Sequence, residues 1–249
     1  MNSSTNTTGG RSRVLVVKLS SLGDLFHALP SVHLLNKHLN AEVDWVTQPE
    51  YAALVQCFTD VRRVITFPRR RLISGLPEYL RAVRWEQYDY IVDFQGLLKS
   101  ALAARCARGG RRIGPSYQRE GACVFYHDTA GPRNKNRHAV DEALDVVRFL
   151  DLPVNETVFP VSFPPYALKG AGPRVAFIPC SRWPTKNAPP SLFAGVGRLL
   201  LQQGVQTIYL AGSPADSAVC RFMEEELKDE RVVNVCGRTS LPELGGLLS

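Results

Sequence analysis

The run Arg13-Val-Leu-Val-Val-Lys-Leu-Ser-Ser-Leu-Gly-Asp24 constrains this chain more than any other part of it. Five of the seven residues from Arg13 to Leu19 are apolar, too continuous for a half-exposed strand and suited to one buried on both faces. Ser20, Ser21 and Gly23 then supply a tight turn, and helical apolar spacing starts at Asp24. Strand, turn and helix open a βαβ unit, and open parallel sheets bind their ligands at the carboxyl edge where such turns lie. The turn lacks the G-x-G-x-x-G spacing of a dinucleotide fingerprint and the lysine of a phosphate loop. That leaves the carboxylate of Asp24 as the candidate chemical group. Its two readings are a helix cap that complements the dipole and a general base.

The rest of the chain repeats the alternation. Strand patterns fall at 13–19, 42–47, 62–67, 89–94 and 111–114, and helical ones at 24–39, 50–57, 76–86, 97–107 and 138–150. This predicts an α/β fold with a parallel sheet covered by helices on both faces. Pro30 is expected to kink or shorten the first helix. Residues 151–173 are dense in proline and glycine and read as a linker. A second α/β pattern follows, with strands at 174–179, 205–210 and 232–235, helices at 190–203 and 214–228, and a helix start at Ser240. The expected layout is a disordered tail over 1–12, a first domain over 13–150, the linker, and a second domain over 174–249 that looks incomplete.

Composition removes several classes. No apolar run approaches the length of a membrane span, and the polar start has no signal-peptide pattern. The six cysteines form no CxxC pair and are expected to be reduced core residues of a cytoplasmic protein. The five histidines lack metal spacing, and no Asp-x-Asp is present, so neither a metal nor a resident cofactor is expected. Charge is uneven: residues 1–171 hold 22 Lys+Arg against 16 Asp+Glu, and residues 172–249 hold 8 against 7. The first-half excess, including Arg69, Arg70 and Arg71, is either a solvated face or the footprint of an anionic partner. No nucleic-acid module accompanies it.

Further candidates sit at strand–helix junctions. Lys186, within Ser181-Arg-Trp-Pro-Thr185-Lys186, places a cation and hydroxyls between a strand and a helix, which suits phosphate or describes a surface loop. Asp216, after Gly212, either accepts from a ribose hydroxyl or caps the next helix. Asp93-Phe-Gln95-Gly96 precedes Lys99 at another junction, with Gly96 simplest as a turn residue. His138 opens a helix as a cap.

Together these elements resemble glycosyltransferase family 9, the bacterial lipopolysaccharide heptosyltransferases. The resemblance rests on Lys18-Leu-Ser-Ser-Leu-Gly-Asp24 with His27 and Leu29-Pro30, Val43-Asp-Trp-Val46, Asp93-Phe-Gln-Gly-Leu-Leu-Lys-Ser-Ala101, Arg137-His-Ala-Val140, Arg182-Trp-Pro-Thr-Lys186 and Ala211-Gly-Ser-Pro214. It implies two Rossmann-like domains of the GT-B type with a cleft between them. It implies inverting, metal-independent transfer of heptose from ADP-L-glycero-D-manno-heptose to the anionic Kdo-lipid A acceptor, at the cytoplasmic face of the inner membrane with peripheral contact. Asp24 matches the base. The donor side comprises Ser20, Ser21, Gly23, Ser181, Thr185, Lys186, Gly212 and Asp216, and the acceptor side Arg69, Arg70, Arg71, Gln95, Lys99 and His138.

Two departures stand out. Ala188 occupies a position usually held by Trp, and the Asp-(Thr/Ser)-Gly-x-x-His donor loop of the family does not occur before Ser249. The expectation is therefore a truncated second domain and a chain that folds but transfers little sugar by itself. The alternatives are a non-catalytic remnant that weakly binds a sugar nucleotide, and a family-9 transferase of another sugar.

Overall fold

The computed structural model describes residues 10–69, 72–134, 136–181 and 183–249. The chain divides into two compact units, one ending at Ser162 and the other starting at Phe163. Both are α/β and Rossmann-like.

The first unit runs β1 (Ser12–Val17), α1 (Leu22–Leu39), β2 (Ala41–Thr47), a short α2 (Ala52–Val55), β3 (Val61–Thr66), α3 (Leu72–Val83), β4 (Gln87–Asp93), α4 (Leu98–Cys106), β5 (Arg108–Pro115), β6 (Asp128–Ala130) and α5 (Ala139–Phe149). Its six strands lie in the order β3-β2-β1-β4-β5-β6, all parallel. Val14 to Val17 have no exposed surface, as expected for a central strand covered on both faces. Leu15, Val17 and Leu19 point to one side, where they pack with Tyr79 and Val83 of α3 and Ala103 and Ala104 of α4. The three-residue β6 is an addition to the five strands expected, because three residues carry no readable period. α1 passes through Pro30 unbroken. The proline withholds one backbone donor, but its ring is buried with Leu29 and Val32 in the helix's inward face, and that packing offsets the loss.

The second unit runs β7 (Arg174–Phe177), α6 (Pro190–Gln202), β8 (Thr207–Leu210), α7 (Ser217–Leu227), β9 (Val232–Asn234) and α8 (Leu241–Leu248). Its strands are parallel in the order β7-β8-β9. Phe177, Ile208, Leu210, Cys220 and Met223 form the core on the face that carries α6 and α7, and Tyr209 and Ala211 meet Leu247 of α8 on the other. Residues 151–173 are shared between the units. Thr59 N–H donates to Pro160 O and Ser162 N–H to Cys57 O in the first, while the Tyr209 hydroxyl donates to Lys169 O and Thr207 Oγ1 to Ala171 O in the second. All six cysteines are free thiols, but only Cys220 and Cys236 are buried and Cys123 is exposed, so the expectation of core cysteines holds for two. No described helix is long and apolar enough to cross a membrane.

Candidate functional site

Strand order reverses between β1 and β4, since β1 leads to β2 on one side and β4 to β5 on the other. Crevices form at the carboxyl ends of such a pair because the loops there diverge. A cavity of about 330 Å³ opens at that point, lined by Lys18, Asp24, His27, Gln95, Tyr117, Arg119 and Glu142 among others.

Asp24 lies in the first turn of α1, at the third helical position after the cap Ser21. Its Oδ2 accepts from Ser21 N–H at 3.0 Å and from Ser21 Oγ at 2.8 Å. The cap reading is thus correct for one oxygen. Oδ1 has no hydrogen-bond donor among the described residues and is 3.8 Å from His27 Nδ1. Burial pushes the carboxyl up, but the two Ser21 bonds and the charge of Lys18 outweigh it and hold the group below its ordinary range.

Lys18 follows β1 and is 8% exposed. Its Nζ donates to Phe94 O at 2.7 Å, and the Tyr117 hydroxyl donates to the same carbonyl at 2.9 Å. Burial lowers its pKa, opposed by Asp24, Asp93 and Glu142. A buried cation is tolerable only with such carboxylates around it. Glu142, in the first turn of α5, is itself pushed up by burial.

The β4–α4 loop is rigid for identifiable reasons. The buried Asp93 accepts from Gln95 N–H at 2.7 Å and Gly96 N–H at 3.2 Å through Oδ1, and from the Tyr126 hydroxyl at 2.7 Å through Oδ2. Gly96 has φ +68°, and a Cβ there would lie 2.8 Å from Pro115 Cγ, so glycine is required. Gln95 Oε1 accepts from Leu19 N–H and Ser20 N–H at 3.2 and 3.1 Å, tying this loop to the β1–α1 turn. Of the expected acceptor residues, Gln95 therefore lines the cavity with its carbonyl oxygen committed to backbone. Lys99 is on α4, partly exposed and away from the lining. His138 caps α5, accepting from Val140 N–H at 3.3 Å, with its ring 5.6 Å from that of His27. Arg69 is exposed and reaches Gln48 Oε1 at 3.5 Å; Arg70 and Arg71 lie outside the described residues.

The expected donor residues fall in both units. Ser20, Ser21 and Gly23 form the turn before Asp24. Ser181, Thr185 and Lys186 are exposed in the loop between β7 and α6. Ser181 N–H donates to Asn187 Oδ1 at 2.8 Å and its Oγ to Trp183 O at 2.9 Å. Lys186 Nζ has no hydrogen bond or ion pair among the described residues. Gly212 and Asp216 follow β8. Asp216 Oδ2 accepts from Ser213 N–H and Oγ at 2.8 and 2.7 Å, as a cap does. A Cβ on Gly212 would approach Asp216 and Cys236 Sγ to 3.0 and 3.1 Å.

Lys18, His27, Tyr117, Arg119 and Glu142 were not among the expected site residues. The lysine interrupting an apolar strand was a readable signal for the first. His27 lies one turn beyond Asp24 on α1, a spacing the sequence shows, whereas Tyr117 and Arg119 come from a loop after β5 and Glu142 from α5, which only tertiary packing brings together. Among the described residues no group of three or more His, Cys, Asp or Glu side chains is placed to hold a metal.

A family model described as glycosyltransferase family 9 (heptosyltransferase) matches residues 78–249. Lipopolysaccharide heptosyltransferase 1 of Pseudomonas aeruginosa is 29% identical over 220 residues, covering 82% of this chain and 62% of that protein. The protein of that name in Escherichia coli K12 is 31% identical over 147 residues, covering 54% of this chain and 46% of its own. The chain thus spans about half to three fifths of these curated relatives. Among solved structures, E. coli heptosyltransferase WaaC with ADP-2-deoxy-2-fluoro heptose has a TM-score of 0.76 at 24% identity, covering 95% of this chain and 79% of that one. A family 9 glycosyl transferase from Veillonella parvula has a TM-score of 0.83 at 18% identity, with 95% and 73% covered.

Proposed function

The chain belongs to glycosyltransferase family 9, and from that membership we propose that it transfers heptose from ADP-L-glycero-D-manno-heptose to the Kdo-lipid A inner core during lipopolysaccharide biosynthesis. The transfer is inverting and needs no metal, and it takes place at the cytoplasmic face of the inner membrane with peripheral contact. One observation carries the reading. Asp24 presents an uncommitted carboxylate oxygen to a polar cavity at the sheet's switch point, held there by Ser21 through its other oxygen.

A sugar hydroxyl is a weak nucleophile until a base removes its proton as the new bond forms. Asp24 Oδ1 takes that proton while the acceptor oxygen attacks the anomeric carbon from the side opposite the diphosphate. The bond to the diphosphate breaks, and ADP leaves with the electron pair. The charge that gathers on it is met by Lys186 and by the N-terminus of α6. The carboxylate and phosphates of the acceptor suit the basic first unit.

The test is single-turnover transfer with the chain in excess over ADP-heptose, with a Kdo-bearing acceptor and ADP release as the readout. Asp24→Asn keeps the size and capping ability of the side chain and removes its basicity. Transfer is expected to fall by about 10²–10⁴, the usual scale of acid–base catalysis, with donor affinity intact. Transfer within a few-fold of the parent would return Asp24 to a capping role. Transfer of a different sugar in place of heptose would keep the mechanism and change the substrate.

A further inference from the structure

We propose that His27 is the second station for the proton in this reaction: Asp24 Oδ1 receives it from the acceptor hydroxyl and hands it to His27 Nδ1. The inference rests on Asp24 being the base.

The geometry is that of two acceptors facing each other with room for one proton. His27 lies one helical turn after Asp24 on α1, so the two side chains share a face. Nδ1 is buried and has no hydrogen-bond partner among the described residues, although the ring as a whole is 39% exposed and lines the cavity. It stands 3.8 Å from the Asp24 oxygen that Ser21 leaves uncommitted. An Nδ1–H facing a carboxylate would close to an ordinary charge-assisted bond of about 2.8 Å. At 3.8 Å the two atoms are not hydrogen-bonded. Leaving a buried nitrogen unpaired is unfavourable, so a proton delivered between the two groups relieves a standing penalty.

The sequence of events balances. The acceptor oxygen forms its bond to the anomeric carbon and the diphosphate leaves with the old bond's electrons. The hydroxyl proton passes to Asp24 Oδ1 and then to Nδ1, leaving an imidazolium beside a restored carboxylate. The Nε2 proton is released to solvent on the exposed side of the ring. A carboxylate held below its ordinary range by Ser21 and Lys18 keeps a proton poorly, and the transfer prevents its return to the product oxygen. The charged or titratable groups around the ring are Lys18 after β1, Asp24 on α1, Tyr117 and Arg119 after β5, and His138 and Glu142 on α5.

Two measurements on the 249-residue chain test the relay. Nitrogen-15 NMR of labelled histidine reads the resting tautomer without turnover. The expected result is His27 protonated on Nε2 and bare on Nδ1; a protonated Nδ1 in the neutral ring could not accept and would overturn the relay. In single-turnover transfer, His27→Gln should lower the rate by about 10²-fold and change the shape of the pH–rate profile, with ADP affinity within twofold of the parent. His27→Ala should regain part of the loss on addition of imidazole, which a merely structural residue would not show. A His27→Gln rate and profile equal to the parent's, with Asp24→Asn inactive, overturns the relay and leaves Asp24 as the base. A parent-like Asp24→Asn overturns the reading on which the relay rests, and the tautomer measurement tests the relay without turnover.

Discussion

Two aspartates near one cavity are pulled in opposite directions. Asp93, fully buried, is pushed above its ordinary value by burial, against the bonds from Tyr126, Ser100, Gln95 and Gly96 that favour its charge. Its stabilising contribution is therefore fully present below the unfolded value of 3.8 and is lost as pH rises through the raised folded value. Asp24, held low, behaves in the opposite sense and loses its contribution as pH falls below 3.8. Asp93→Asn removes the first titration. Urea midpoints of parent and variant should therefore shift in the variant's favour as pH rises from below 3.8 into the neutral range, and a constant difference would show that Asp93 does not titrate there. Lys186 offers a different experiment, since it is exposed and its ammonium has no hydrogen bond or ion pair among the described residues. Lys186→Ala should weaken ADP binding by about tenfold, or about 1.4 kcal/mol, with the fold unchanged. Equal affinities by calorimetry would remove it from the donor site.

At the scale of elements, the cavity depends on how two loops are tied to neighbouring strands. The β4–α4 loop hangs on Asp93, Asp93 leans on Tyr126, and the Tyr126 ring lies flat against β5 at Gly114. A Cβ on Gly114 would sit 2.1 Å from two ring carbons, so only glycine lets the ring close on the strand. Gly114→Ala should destabilise the first unit by about 1–3 kcal/mol, the range for overpacked sites, and free the Tyr126 hydroxyl from Asp93. Chemical denaturation gives the first quantity, and a loss under about 0.5 kcal/mol would mean that the ring moves aside without strain. The Gln95 bonds to Leu19 and Ser20 then pass the disturbance to the turn that carries Asp24.

For the molecule as a whole, charge divides the labour. Most of the net excess of basic residues lies before Phe163, in the unit that holds the Asp24 cavity. Part of that charge is already spent internally: Arg62 and Arg63 both pair with the buried Asp44, at 2.9 and 2.7 Å, and Arg137 pairs with Asp145. The run Arg69-Arg70-Arg71 is a candidate for the rest. Replacing all three by Ser should raise the acceptor KM and flatten its salt dependence, since attraction between charges is screened over a Debye length of about 8 Å at physiological ionic strength. The donor KM should hold. An acceptor KM unmoved at low salt would identify the run as a solvated face.

What was legible in the amino-acid order was everything that repeats locally. The apolar run Val14–Val17, the turn at Ser20–Gly23 and the helical spacing after it specify a buried strand handing over to a helix, and the same alternation along the chain specifies a parallel α/β fold. Periodicity reports which face an element buries, and that pattern is carried by residues close in sequence. Asp24 was findable because a junction is a local feature. Its surroundings were not. Lys18 meets Phe94, Gln95 holds Ser20, and Tyr117 and Glu142 come to the same cavity from more than ninety residues away, with no spacing to announce them. Those contacts follow from strand order, which places β4 beside β1, and strand order is settled by packing two helical layers onto one twisted sheet. The order of residues therefore determined the strands, the helices and the candidate carboxylate. Only the tertiary structure decided that Lys18, Tyr117, Arg119 and Glu142 gather around that carboxylate in one cavity.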